Sequence, residues 1–293
     1  MGTQVRRGTT GGGVTRGDAE QVYRGNLERL LRHIHEQRGL DMSRYRPQYV
    51  ERRVATRLRA LGLHSYRQYR DYIVNHPDEF DRLVDTLTIN VTEFFRDSVV
   101  YDLVAKEVLP PLVSEKLAAR QRMIRVWSAG CATGEEPYSV AMSLLEALGD
   151  DAHMMKISIL ATDLDETALA RARAATYPID RLKNIPKPLQ VKYLDIDADT
   201  FRIRPEVTRL VKFRKLNLFS DKPLSVVDLI LCRNVFIYFN REQQEQALES
   251  FRLALVRGGH LVLGRSEKMS PEMGRKFELV SGREHVYRKP KSG

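Results

Sequence analysis

Ile124-Arg-Val-Trp-Ser-Ala-Gly-Cys-Ala-Thr-Gly-Glu-Glu-Pro-Tyr-Ser139 is an apolar run that passes through a Gly130-x-x-x-Gly134 turn into two carboxylates and a proline. It reads as a strand, a tight loop and the start of a helix. Pro137 fits a first helical turn, and Tyr138, Ala141, Met142, Leu145 and Leu148 recur at three- and four-residue steps, the spacing of one buried helix face. A strand-loop-helix of this kind cradles a nucleotide. Charge narrows which one. Glu135 and Glu136 stand where a dinucleotide pyrophosphate or an ATP phosphate needs bare amides, and carboxylates repel either. A cationic nucleoside without phosphates suits the turn better, and S-adenosylmethionine, with a sulfonium and an ammonium, is such a ligand. The same residues would also serve an ordinary βα turn with solvated glutamates.

Working outward, the next apolar run, Ile157-Ser-Ile-Leu-Ala-Thr-Asp163, sets a carboxylate at the carboxyl end of a buried strand. That is where α/β sheets bind ligands, and an acid there can accept from both ribose hydroxyls. Asp163 follows Gly134 by 29 residues, more than the roughly 20 of dinucleotide folds, which a longer intervening helix explains. The alternative use of Asp163 is as a helix N-cap, a role Asp165 or Thr167 could also fill. Asn217 and Asn234 close two further strands. An amide both donates and accepts, which matches an adenine edge at Asn217, while Asn234 falls where methionine or the reactive methyl would lie. Each asparagine could instead only turn the backbone.

Strand-like runs at Met123–Ser128, Ile157–Thr162, Val211–Lys215, Val226–Leu231 and His260–Leu263 alternate with helical spacing. They predict a mostly parallel α/β sheet over residues 123–289 with right-handed crossovers. Four prolines and one short run, Thr200–Arg204, interrupt the alternation at about 177–210 and mark an inserted subdomain. Residues 1–18, rich in Gly, Thr and Arg, read as a disordered leader. Residues 19–100 read as an all-helical domain on the faces Leu27/Leu30/Leu31/Ile34 and Val50/Val54/Leu58/Leu61, and 101–122 as a linker helix. With 42% hydrophobic and 29% charged residues, the composition is that of a globular protein. No run is long and apolar enough to span a membrane or to act as a signal peptide, which makes a cytoplasmic location the simplest expectation. Cys131 and Cys232 have neither metal-site nor disulfide-framework spacing, so no metal is expected.

The net charge of +10 calls for an acidic partner. It concentrates between Arg44 and Arg70, where eight arginines face the single acid Glu51. Arg52, Arg53, Arg57 and Arg59 lie off the Val50/Val54/Leu58/Leu61 stripe and are expected to project to solvent, ready for carboxylates or phosphates. No aromatics interleave among them, which disfavours a base-stacking nucleic-acid surface. Leu87-Thr-Ile-Asn90-Val-Thr92-Glu-Phe94-Phe95-Arg96 sits at the junction of the helical and α/β parts and is either a site segment or a packed linker.

Together, Asn90-Val-Thr-Glu-Phe-Phe-Arg96, Gly130-Cys-Ala-Thr-Gly-Glu-Glu-Pro-Tyr-Ser139, Ala161-Thr-Asp163 and Cys232-Arg-Asn-Val-Phe-Ile-Tyr-Phe239 resemble, in order, the motifs of the CheR-type chemoreceptor methyltransferases. The likeness runs from about Leu27 to Arg288. It implies a class I S-adenosylmethionine-dependent methyltransferase (Rossmann-like) sheet domain with a small inserted β-subdomain, preceded by an all-helical N-terminal domain. The implied reaction moves a methyl group from S-adenosylmethionine to receptor glutamates, leaving S-adenosylhomocysteine. Carried over by motif, Asn90, Thr92, Arg96, Gly130, Glu135, Asp163, Asn217, Leu218, Asn234 and Val235 would bind the cofactor. Arg96 and Tyr238 would stand nearest the chemistry, and Arg52, Arg53, Arg57 and Arg59 would dock the helical bundle of a chemoreceptor. Some relatives also hold a pentapeptide tether through a loop longer and richer in glycine than Asp195–Thr200, which puts tether binding in doubt here. A nucleic-acid methyltransferase would share the basic charge, but its Asn/Asp-Pro-Pro-aromatic run is replaced by Asn234-Val-Phe-Ile. A non-catalytic S-adenosylmethionine sensor is the remaining alternative.

Overall fold

The helical spacing at the start of the chain becomes four helices: α1 (Arg16–Arg38), α2 (Pro47–Ala60), α3 (Tyr66–Val74) and α4 (Pro77–Leu87). The computed structural model describes residues 16–38, 42, 45–87, 92–222 and 224–291. The chain forms two compact units that divide between Leu87 and Thr88. In the first unit, Leu27, Leu30 and Ile34 of α1 and Val50, Val54 and Leu58 of α2 are buried, while Leu31 and Leu61 stay half-buried. Burying one such side chain is worth roughly 1.5–3 kcal/mol, whereas a cap such as Ser65, which accepts from the Gln68 amide at the start of α3, contributes about 1 kcal/mol. Packing, more than capping, therefore holds this unit.

Two boundaries differ from expectation. Residues 16–18 are helix rather than leader, because a nucleated helical ladder gains a hydrogen bond for each residue added. Residues 1–15 lie outside the described residues. The helical unit ends at Leu87 rather than near residue 100, and 101–122 is no linker. Val104, Val108, Leu109, Leu112 and Val113 bury themselves in the core of the second unit instead.

That unit opens with α5 (Ser98–Leu103), which runs through a π-helical turn (Val104–Val108) into α6 (Leu109–Ala118). Pro110 and Pro111 remove two successive N–H donors just past the widened turn. Then come β1 (Met123–Ala129), α7 (Glu135–Leu148), β2 (Lys156–Asp163) and α8 (Glu166–Ala174). The insert holds β3 (Thr176–Pro178), α9 (Lys187–Tyr193), β4 (Leu194–Ile196), β5 (Thr200–Ile203) and α10 (Pro205–Thr208). The chain continues through β6 (Val211–Lys215), β7 (Val227–Cys232), α11 (Arg241–Ala254) and β8 (Leu255–Leu263). It closes with α12 (Pro271–Gly274), β9 (Glu278–Ser281) and β10 (Val286–Arg288).

Seven strands form one sheet in the order β6-β2-β1-β7-β8-β10-β9. The first five in that order pair in parallel, and β10 runs antiparallel between β8 and β9. Chain order reverses at β1, which has β2 on one side and β7 on the other. Such a reversal opens a crevice beyond the carboxyl ends of the strands. β7 is buried at every residue, as a central parallel strand must be. The insert is a separate antiparallel sheet, β3-β5-β4, whose base is tied where the Ile203 amide donates to the Ala175 carbonyl (2.9 Å).

Candidate active site

The loop after β1 folds back over the end of β2. The amides of Gly130 and Cys131 both donate to the Thr162 carbonyl (2.8 and 3.0 Å), and the Ala132 amide donates to Asp163 Oδ2 (2.8 Å). The turn needs left-handed backbone at Gly130 (φ +77°), Ala132 (+47°) and Gly134 (+95°). Side chains are also excluded at the two glycines. A Cβ on Gly130 would lie 2.5 Å from Val235 Cγ2, and one on Gly134 would lie 2.8 Å from Ala172 Cβ. The cradle is thus closed by Val235 from β7's far end, which brings two expected site residues together.

Helix α7 starts inside this cradle with both acids buried, Glu135 at 2% and Glu136 at 8% exposure. Thr133 Oγ1 donates to Glu135 (2.7 Å) and Ser128 Oγ donates to Glu136 (2.7 Å). Burial raises both carboxyls above their ordinary range, opposed at Glu135 by the Thr133 bond and at Glu136 by the Arg233 charge. A phosphate brought here would meet two buried acids, whereas a cation would relieve them. Asp163 is raised by burial as well, against the amides of Asp165 and Ala132. Its Oδ1 accepts from the Asp165 amide (3.0 Å), and Asp165 itself caps α8 by accepting from Thr167 and Ala168. Asp163 is therefore not the cap.

At the end of β6, Asn217 Oδ1 accepts from the Phe219 amide (2.9 Å), so the residue does turn the backbone, and Leu218 sits half-buried beside it. At the end of β7, Asn234 is left-handed (φ +62°), and a short 3₁₀ turn, Phe236–Tyr238, leaves the Tyr238 side chain half-buried. The neighbouring Arg233 side chain, 2% exposed, reaches the segment 92–97: its Nη2 donates to the Arg96 carbonyl (2.8 Å) and to Asp97 Oδ2 (2.7 Å). That segment carries left-handed Phe95 (φ +48°) and Asp97 (φ +56°). The Phe95 amide donates to Ser139 Oγ of α7 (3.0 Å), and Arg181 of the insert donates to the Thr92 carbonyl (2.8 Å). Phe94, fully buried, packs edge-on against Tyr177 at 4.9 Å. The segment 92–97 is thus tied at Thr92 to the insert, at Phe95 to α7 and at Arg96 and Asp97 to Arg233 just past β7. Asn90 lies outside the described residues.

Two residues that organise this region carried little signal in the sequence. Arg233 stands inside a quoted motif but reads there only as strand-end context. Glu267 accepts from the amides of Gly264 (2.6 Å), Phe236 (2.7 Å) and Asn234 (3.0 Å), yet its Gly-Arg-Ser-Glu context has no periodic pattern.

The arginines of α2 belong to the first unit, and one expectation about them fails. Arg57 does not project to solvent. It grips Glu79 through Nε–Oε1 (2.9 Å) and Nη2–Oε2 (2.6 Å), while the Tyr69 hydroxyl donates to the same carboxylate (2.9 Å). Burial works to raise Glu79, but the bonds from Arg57 and Tyr69 outweigh it and hold the acid below its ordinary range. The helical wheel explains the error. At about 100° per residue, Arg57 falls roughly 20° outside the edge of the apolar stripe, whereas Arg52 and Arg59 fall on the opposite face. Arg53 is intermediate, with its guanidinium 5.7 Å from the Tyr49 ring centre and its Nε buried. Arg52 and Arg59 are exposed.

A mostly parallel sheet that reverses chain order above a two-glycine cradle and buried acids defines an S-adenosylmethionine-dependent methyltransferase. The chain belongs to the CheR methyltransferase family: residues 25–88 match its all-alpha domain and residues 90–286 its SAM binding domain. It is 36% identical over 259 residues to chemotaxis protein methyltransferase 2 of Pseudomonas aeruginosa, covering 86% of this chain and 87% of that one. It is 34% identical over 251 residues to the chemotaxis protein methyltransferase of Borreliella burgdorferi (84% and 89% covered). The corresponding figures for that of Escherichia coli are 33% over 263 residues (87% of each). The activity is S-adenosylmethionine-dependent methyl transfer in chemotaxis. Among the described residues, no helix is long and apolar enough to cross a membrane.

Proposed function

We propose that the methyl acceptors are glutamate side chains on the helical bundle of a chemoreceptor, and that the products are methyl esters. The observation that carries this reading is the attachment of the Arg96 segment to the end of β7 through Arg233, beside the turn that bears Tyr238. A cationic and a phenolic group on these two segments suit an anionic acceptor.

The cradle fits the cofactor, since its two buried acids favour a cation over a phosphate. When bound, S-adenosylmethionine supplies an electrophilic methyl group on a sulfonium. In this reading Glu135 faces the ammonium, Asp163 accepts from the ribose hydroxyls and the Asn217–Leu218 turn borders the base. Gly130, Asn234 and Val235 line the methionine part, with Asn90, Thr92 and Arg96 on the opposite segment. A glutamate with a pKa of about 4.3 is already the nucleophile at neutral pH, so no residue has to act as a base. The protein's contribution is alignment and exclusion of water. Arg96 orients the incoming carboxylate, and the Tyr238 hydroxyl donates to its non-attacking oxygen. Exposed Arg52 and Arg59, with Arg53 at their flank, draw the acidic receptor surface towards α2. The β4–β5 connection is a tight turn closed by the Asp197 amide on the Thr200 carbonyl (2.9 Å), which supports capture without a pentapeptide tether.

The test is to incubate the protein with methyl-labelled S-adenosylmethionine and receptor cytoplasmic fragments, with and without the tether, and to treat the product with alkali. Release of labelled methanol from both fragments is expected. Alkali-stable label would overturn the ester, and label only on the tethered fragment would overturn the tether-free reading.

A further inference from the structure

We propose that Glu267 is a positioning residue for methyl transfer: its carboxylate fixes the segment Asn234–Tyr238 to the end of β8, and so sets where Asn234 and Val235 meet the cofactor and where Tyr238 stands. The inference rests on the assignment of those three residues to the site.

Glu267 follows β8 by one tight turn, closed where its own amide donates to the Gly264 carbonyl (2.9 Å). The turn brings the side chain back over the strand end, where it is 3% exposed. Oε2 accepts from the amides of Gly264 (2.6 Å) and Asn234 (3.0 Å), and Oε1 accepts from that of Phe236 (2.7 Å). The left-handed Asn234 (φ +62°) lets nearby amides converge on one acceptor instead of alternating in direction, forming an anion nest filled from within the chain. Burial raises the Glu267 carboxyl while the amides of Gly264, Asn234 and Phe236 oppose it. Three amide donors converging on two oxygens favour the charged form and oppose the effect of burial.

The segment has little slack. On one side Glu267 holds its amides, and on the other Val235 presses on Gly130 so closely that a Cβ there would meet it at 2.5 Å. Loss of the carboxylate would therefore move Val235 against the cofactor cradle and shift the 3₁₀ turn that starts at Phe236. Misplacement of about 1 Å costs on the order of 10²-fold in rate.

The experiment compares the wild-type chain with Glu267→Gln and Glu267→Asp. It reads amide hydrogen exchange over residues 232–239, the dissociation constant of S-adenosylhomocysteine, and kcat and KM for methyl transfer. In wild type, the Asn234 and Phe236 amides should exchange slowly. In Glu267→Gln that exchange should quicken while β1 and β2 keep their protection, with kcat falling on the order of 10²-fold and cofactor binding weakening. Glu267→Asp, which keeps the charge, should recover part of both. A folded Glu267→Gln with wild-type kcat and cofactor affinity would overturn the proposal. Should that variant not fold, fast exchange of the Asn234 and Phe236 amides in wild type would overturn it equally, and slow exchange with partial activity in Glu267→Asp would support it. S-adenosylhomocysteine binding needs no receptor, so failure of the glutamate-acceptor reading would leave this test intact.

Discussion

Helices α2 and α7 are each 14 residues long and each concentrates charge mostly of one sign, but α2 turns two of its arginines outward whereas α7 buries the two acids of its first turn. On α2, Arg52 and Arg59 face solvent, Arg53 lies half-buried over Tyr49, and Arg57 is drawn in, where Glu79 answers it. On α7, Glu135 and Glu136 are both buried, with hydroxyls as their nearest partners and guanidinium groups no closer than 3.9 and 4.0 Å. An exposed charge acts at a distance, is screened over about 10 Å at moderate salt and contributes little to stability. A buried charge lacking a close counterion is costly until a ligand arrives, which makes it selective for that ligand. The first arrangement suits recruitment of a large acidic surface, the second recognition of a small cation.

The strongest way to break the contrast is Arg57→Ala, which should strand the Glu79 carboxylate and destabilise the helical unit by about 3 kcal/mol in denaturant titration. A loss below about 1 kcal/mol would mean that Arg57 is one more surface charge. Next in size, Glu135→Gln should weaken S-adenosylhomocysteine binding by about 2 kcal/mol, roughly 30-fold by calorimetry. It should leave the fold at least as stable as wild type. Smaller again, Arg52→Glu with Arg59→Glu should cut receptor methylation by about 1 kcal/mol, several-fold at low salt and less as salt rises. Cofactor affinity should not change, and an equal loss of both would erase the division between the helices.

The smallest effect separates the two helices by pH. Glu79 is held below its ordinary range, so its contribution to stability is present above the unfolded value near 4.5 and is lost as pH falls through the lower folded value. Glu135 is raised above 4.5, so its ionisation costs stability as pH rises through that window, while a cation binds the ionised form better. Any stabilisation seen in Glu135→Gln at neutral pH should therefore vanish below about 4.5, and wild-type cofactor affinity should rise across the same interval. Thermal melts and calorimetry at a series of pH values would check both.

How far the sequence could be read divides along a similar line. Strands β2 and β7 were legible as short apolar runs that lead into Asp163 and Arg233, and the cradle was legible because glycines and acids fall together within seven residues of Gly130. The last two strands were not, since β9 and β10 hold four and three residues and owe their place to pairing, β10 with β8 and β9 with β10. Arg57 was misjudged because a residue beside an apolar stripe is half-buried, and whether it is solvated depends on an acid 22 positions later. Glu267 was missed for a related reason. Backbone amides are its partners, and every residue has one, so no side-chain pattern announces it. Asp163, also an acceptor of backbone amides, was found only because it ends an obvious strand.

Arg233 and Asn234 are consecutive, yet the side chain of the first holds the segment 92–97 and the amide of the second is held by Glu267. Neighbouring side chains of a strand point to opposite faces, so a one-residue insertion or deletion in β7 would turn the strand's end and carry the Arg233 side chain away from Asp97 and the Arg96 carbonyl. The apolar side chains of Val227–Cys232 are open to replacement by others of similar volume. Over evolutionary drift, β7 can vary in spelling but not in length.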